Sequence, residues 1–265
     1  ACGGGSGGSG DRPSAGTVSL DPGNCEDCLL ADQIESYRYE PYQPLMARVC
    51  DRGPLYVTGS ERVSWEALCA AGDMLAAMLA YRPDVVQELQ ANGAVTVVFA
   101  PTENVCSTDY YSYLWGQQIC FNAPGGLGGS LGNPATACSE ANIMSLPEDV
   151  FQRGDPLGEN VCVHELAHTI MNVGLTVQER SDIAARYQQV MQSDTLWIRA
   201  DGTQTYARRN DNEFFAELAQ VYFNANPRVD HFVHVGVNGA AELLQYDPES
   251  YVLIDRIFVR PADLR

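Results

Sequence analysis

Val161-Cys162-Val163-His164-Glu165-Leu166-Ala167-His168-Thr169-Ile170-Met171 is the stretch that decides the reading of this chain. Its apolar residues Val161, Val163, Leu166, Ala167, Ile170 and Met171 suit a buried helix, and Gly174 marks its stop. His164 and His168 are four residues apart and therefore stand one turn above each other on one helix face. Two imidazoles so placed can reach a single metal ion at about 2.0–2.1 Å. Glu165 lies about 100° round the helix, beside the ion, where it can take a proton from water and return it to a leaving amine. The spelling is HExxH, and the helix it requires is the one the flanking residues predict.

Zinc in such a site takes a third protein ligand and keeps a fourth position open. The extended pattern HExxHxxGxxH requires Gly at 171 and His at 174, but Met171 and Gly174 stand there. The other two histidines, His231 and His234, form a loose pair with no spacing rule and read as surface or packing residues. A second helix offers carboxylates instead. Asn212-Glu213-Phe214-Phe215-Ala216-Glu217-Leu218-Ala219 places Glu213 and Glu217 four apart on one face amid apolar neighbours. A buried carboxylate without a partner is costly, so these two are expected to be engaged. One could bind zinc while the other holds the outer nitrogen of a ligand histidine. Spacing alone does not assign the two roles.

At these residues the chain resembles the gluzincin zinc peptidases. The run Glu213-Phe-Phe-Ala-Glu217 is most similar to the anthrax lethal factor catalytic domain and the related Pro-Pro endopeptidases. The resemblance implies that His164, His168 and Glu213 hold one Zn²⁺, with Glu165 as the catalytic base. It makes Tyr206, seven residues before Glu213, the group that stabilises the oxyanion, and Glu217 the support of a zinc-bound histidine. Residues 160–226, about a quarter of the chain, carry the match. Gly126-Leu-Gly-Gly129 and Tyr246-Asp-Pro248 also look like stretches of secreted bacterial proteins of this type. The fold implied is α+β and helix-rich: a zincin-like metallopeptidase domain with an HExxH active-site helix and a C-terminal helical lobe. The toxin's receptor-binding and substrate-docking regions have no counterpart, so its intracellular substrate is not carried over.

Composition narrows the partners. The formal net charge is −18, which repels phosphate and argues against nucleic acid or anionic lipid as a ligand. All 16 basic residues are arginine. Without lysine there is no P-loop, Schiff-base or kinase-type lysine chemistry. Nine cysteines suit an oxidising compartment. Ala1-Cys2 followed by a Gly/Ser run is similar to the mature start of a bacterial lipoprotein, with Cys2 as lipid attachment site; this accounts for the odd cysteine and leaves eight for four disulfides. Cys138–Cys162 and Cys106–Cys120 are expected pairs, and Cys25 and Cys28 are expected in structural disulfides.

Residues 1–24 read as a flexible tether and 25–265 as a single domain with two lobes around a cleft. Residues 25–60 and 101–158 show little periodicity and read as irregular. Helices are predicted over about 63–80, 84–90, 178–192, 212–223 and 248–259, a buried strand over 94–100, and a hairpin over 197–206 around Asp201-Gly202. Gly128-Gly-Ser130-Leu-Gly132 matches a serine-nucleophile elbow, but it lacks the strand before and the helix after that the elbow needs. The reading is thus a secreted or surface-tethered, monomeric zinc endopeptidase acting on peptide or protein substrates, touching a membrane only through a lipid on Cys2. The alternative is a non-catalytic surface lipoprotein that binds a partner or metal on the same scaffold.

Overall fold

The computed structural model describes residues 25, 27–122, 125–152, 158–231 and 234–264. The expected lipid site Cys2 and the tether 1–24 lie outside them. The architecture is α+β. Three short strands open it, β1 (Cys28–Leu30), β2 (Arg48–Cys50) and β3 (Val57–Gly59), followed by helices α1 (Trp65–Met78) and α2 (Pro83–Ala91). Then come β4 (Val95–Phe99), α3 (Ile119–Asn122), β5 (Gly126–Leu127), β6 (Ala135–Ser139) and α4 (Glu140–Ile143). The C-terminal part holds α5 (Val161–Thr169), α6 (Val177–Met191), α7 (Asp211–Tyr222), the two-stranded β7 (Asp230–His231) and β8 (His234–Val235), α8 (Ala240–Tyr246) and α9 (Pro248–Phe258).

The main sheet has the order β1-β2-β3-β4-β6-β5, with β4 parallel to both β3 and β6 and the other pairs antiparallel. Every residue of β4 is buried because both faces of the sheet are covered. Val95, Val97 and Phe99 point into a layer built with Val49, Tyr56, Tyr110, Tyr111, Ala135 and Ala137. Val98 and Cys138 point the other way, into the larger core of α1, α5, α7 and α9. The alternation is the two-residue period of a strand, blurred in sequence because apolar residues stand in both phases, Val95, Val97 and Phe99 in one and Val98 in the other.

The stretches expected to be irregular contain strands. β1, β2 and β3 are three residues each, too short for a period to be read, and they exist through pairing with one another and with β4. β6 is spelled Ala-Thr-Ala-Cys-Ser, whose small residues carry a weak strand signal, yet it pairs with β4 along its full length. Four disulfides brace the described residues: Cys25–Cys69, Cys28–Cys50, Cys106–Cys120 and Cys138–Cys162. The last two are the pairs expected from sequence. Cys138–Cys162 ties β6 to the first turn of α5. Among the described residues, no helix is long and apolar enough to cross a membrane.

Candidate active site

Helix α5 starts where the Asn160 side chain accepts the Val163 amide. It passes into a π turn over Ile170–Gly174 and ends there, as the glycine predicted. A Cβ on Gly174 would lie 2.7 Å from Val85 Cγ1, so glycine lets the end of the helix rest on α2. The motif residues emerge on the side facing β5 and α7. β5 lies close because its neighbourhood is glycine: a Cβ on Gly126 would meet Glu165 Cγ at 2.7 Å, and one on Gly128 would meet His168 Cβ at 2.3 Å. The Gly129 amide donates to Thr169 Oγ1 at 2.8 Å, pinning the strand's end to the helix.

Across the cleft, α7 begins with the Asn210 side chain accepting the Glu213 amide at 2.9 Å. Glu213 therefore occupies the first helical turn, where the helix dipole favours a carboxylate. Its Oε2 lies 3.0 Å from His164 Nε2 and 3.1 Å from His168 Nε2. The two imidazoles stand 4.7 Å apart, nearly perpendicular. The donor atoms of His164, His168 and Glu213 all lie within 4.8 Å of one another. Two neutral-capable imidazoles and one carboxylate are the donor set that suits Zn²⁺.

The electrostatics point the same way. Burial would raise the Glu213 carboxyl, but the two imidazoles outweigh it and hold the group well below the usual carboxylate range. Burial would lower His164, yet the hydrogen bond to Glu213 and the charges of Glu165 and Glu217 push it up to about 10. Three acids crowd one imidazole, so the site holds positive charge: protons when metal-free, or a cation in their place. Burial raises the Glu165 carboxyl above the ordinary range, against the lowering effect of both imidazoles. Raised affinity for a proton is what a general base at this position requires.

Tyr206 opens a 3₁₀ turn, Tyr206–Arg208, that leads into α7. Its hydroxyl donates to Glu213 Oε1 at 3.2 Å and accepts from Arg209 Nη1 at 2.9 Å. Burial and the Glu213 charge push the phenol up to about 12, so it keeps its proton. The turn before it is a tight one: Arg199 N donates to Thr203 O at 2.8 Å, and Gly202 takes the left-handed conformation at φ 82°. Trp197 anchors this segment by donating from Nε1 to Asp247 Oδ2 at 2.9 Å. Asp247 also accepts from Arg186 at 2.6 Å, so the Tyr246-Asp247-Pro248 stretch holds α6, the hairpin and α9 together.

Behind the imidazoles lies a second polar cluster. Glu217 is 2% exposed. Its Oε2 accepts from Asn226 Nδ2 at 3.2 Å and meets His234 Nδ1 at 3.0 Å. Its Oε1 stays 3.6 Å from His164 Nδ1, outside hydrogen-bond reach. His234 is buried and its other nitrogen faces Glu159 Oε2 at 3.6 Å. The two carboxylates thus flank opposite nitrogens of one ring, and the donor atoms of Glu159, Glu217 and His234 lie within 4.8 Å of one another, a second acid–histidine cluster behind the first. Gln220 escaped the sequence reading. Its Oε1 lies 2.8 Å from His164 Nδ1. The signal was present: Glu213, Glu217 and Gln220 follow i, i+4, i+7 on one face of α7.

His164, Glu165, His168, Tyr206, Glu213 and, behind them, Glu159, Glu217 and His234 line one cleft of about 720 Å³, with Leu127, Phe151 and Val161 as apolar wall. Ser130 is elsewhere in kind: it is exposed in a turn closed by reciprocal backbone hydrogen bonds with Asn133 and followed by β6, not by a helix. Cys25 and Cys28 are each in a disulfide.

No protein-family model matches the sequence, and no curated protein matches it. The solved structure of the Pro-Pro endopeptidase from Paenibacillus alvei is similar to this chain with a TM-score of 0.49 and 14% sequence identity, over 76% of this chain and 97% of that one.

Proposed function

We propose that the protein is a zinc-dependent endopeptidase working outside the cell. The observation that carries the reading is the meeting of His164 Nε2, His168 Nε2 and Glu213 Oε2, side chains 49 and 45 residues apart in sequence, at 3.0 and 3.1 Å. These three residues would hold the ion. Bound zinc supplies Lewis acidity, polarising a carbonyl and making a water easier to deprotonate. Glu165, beside the imidazoles with a raised carboxyl, accepts the proton of the attacking water and delivers it to the departing amine. Tyr206, protonated and aimed into the cleft, donates a hydrogen bond to the oxyanion as charge develops there. Arg209 holds the phenol ring in place from its outer side. The walls Leu127, Phe151 and Val161 give an extended peptide apolar surface to lie on. Four disulfides fit an oxidising compartment.

The test compares the unaltered protein with Glu165→Gln. Zinc content is measured by elemental analysis and cleavage of an unstructured peptide mixture by mass spectrometry. The unaltered protein should hold one zinc and cut; the variant should hold zinc and lose nearly all turnover. Zinc without cleavage in the unaltered protein would favour a binding protein on the same scaffold.

A further inference from the structure

We infer that Gln220 is the positioning residue that fixes the ring of His164 with a proton on Nδ1, so that Nε2, the nitrogen beside Glu213, is the one left to hold the ion. The inference rests on the metal-site reading above and concerns which group sets the ligand's tautomer.

A glutamine amide can present either its oxygen or its nitrogen, and the partners decide which. Gln220 is fully buried, so both ends must be satisfied. One end lies 3.1 Å from Glu159 Oε2 and 3.1 Å from the backbone carbonyl of Asn160. Both are acceptors, and the two N–H bonds of one amide nitrogen serve them. The amide oxygen is left with one direction, toward His164 Nδ1 at 2.8 Å. An acceptor there requires the proton on Nδ1, and a neutral imidazole then has its lone pair on Nε2. Nε2 is the atom that meets Glu213.

Glu217, four residues after Glu213, is the neighbour that spacing favours for this task. It is drawn away instead: His234 and Asn226 engage its Oε2, and its Oε1 stands at 3.6 Å from Nδ1. Glu159 joins the two halves, orienting the Gln220 amide and facing His234. The partner in hydrogen-bond contact with Nδ1 of His164 is therefore a neutral amide rather than a carboxylate. A neutral acceptor orients the ring while adding less electron density to it than an anion would.

The test uses zinc-loaded full-length protein, Gln220→Met and Gln220→Glu. Zinc affinity is read by competition with a chromophoric chelator, and the histidine ring protons by ¹⁵N-edited NMR. In the unaltered protein, His164 should show an exchange-protected proton on Nδ1. Gln220→Met, which removes the acceptor at similar volume, should expose that proton to exchange and weaken zinc about 10–100-fold. Gln220→Glu restores an acceptor and should keep the protected proton and bind zinc more tightly than Gln220→Met. The inference is overturned if Gln220→Met keeps both protection and affinity, or if the two variants behave alike. Should Gln220→Met not fold, the unaltered protein still decides: a His164 proton found on Nε2 overturns the assignment. Failure of the unaltered protein to bind zinc at all counts instead against the peptidase reading itself.

Discussion

The Tyr206 hydroxyl donates a 3.2 Å hydrogen bond to Oε1 of Glu213, the carboxylate whose other oxygen meets both imidazoles. One carboxylate thus anchors the histidine pair and parks the phenol at the cleft. Under the proposed mechanism a tyrosine held there would serve a reacting carbonyl only when charge appears on it. Tyr206→Phe should therefore lower kcat by about 10²–10³-fold, the loss found for one oxyanion donor, with KM and zinc content little changed. Steady-state kinetics with a cleaved peptide checks this; a change confined to KM would assign Tyr206 to substrate binding instead.

Glu213 and Glu217 should separate in their effects. Glu213→Ala removes a candidate ligand and should weaken zinc by at least about 100-fold. Glu217→Ala strips buried His234 of its near partner, and breaking a buried charge pair costs about 3–5 kcal/mol of folding stability. Chelator competition and urea melts run on both variants distinguish them. A larger loss of zinc affinity in Glu217→Ala would exchange the two roles.

Gly128→Ala should damage the site without touching its chemistry. The new methyl would fall 2.3 Å from His168 Cβ, so the segment after β5 must back away from α5. Overpacking of this kind costs about 1–3 kcal/mol. Activity is expected to drop with stability, and crystallography of the variant should show the segment displaced. An unchanged melting temperature would contradict the close packing.

Stability of the metal-free protein should depend on pH in two directions. Burial works to lower His234, but Glu217 and Glu159 outweigh it and raise the ring from 6.5 to about 10. A raised folded value adds stability that is complete below 6.5 and lost as pH climbs toward 10. Glu213 is depressed from 4.5, so its contribution is present above that value and lost as pH falls through the lower folded one. Thermal melts in a chelator should therefore peak between about pH 4.5 and 6.5. His164, likewise raised to about 10, adds to the alkaline fall, and zinc should remove that share because the ring then has no proton to lose at its metal-facing nitrogen, leaving the share of His234. A melting temperature that rises from pH 6.5 to 10 would defeat this account.

The helix of His164 and His168 was legible because its chemistry is local. Four residues separate the rings, and a helix brings that spacing onto one face whatever else the chain does. The apolar spelling around Glu217 correctly implied burial, and the two disulfides near α3 and α5 are those expected to close a short loop and to pin the segment before the HExxH helix. Strand β6 was illegible because Ala135-Thr-Ala-Cys-Ser139 becomes a strand through its partner β4, not through its own propensity.

Local spacing, then, determined which side chains could share a helix face: the imidazole pair with Glu165 beside it on α5, and the carboxylates with Gln220 on α7. Packing of α7 against α5 decided that Glu213 faces both imidazoles, that Gln220 rather than Glu217 lies within hydrogen-bond reach of His164 Nδ1, and that His234 fills the space behind. The reason is one of range. A helix repeats every 3.6 residues and is encoded in its own stretch, whereas the choice among several polar groups on one face depends on ångström differences set by elements that the chain brings together from far apart.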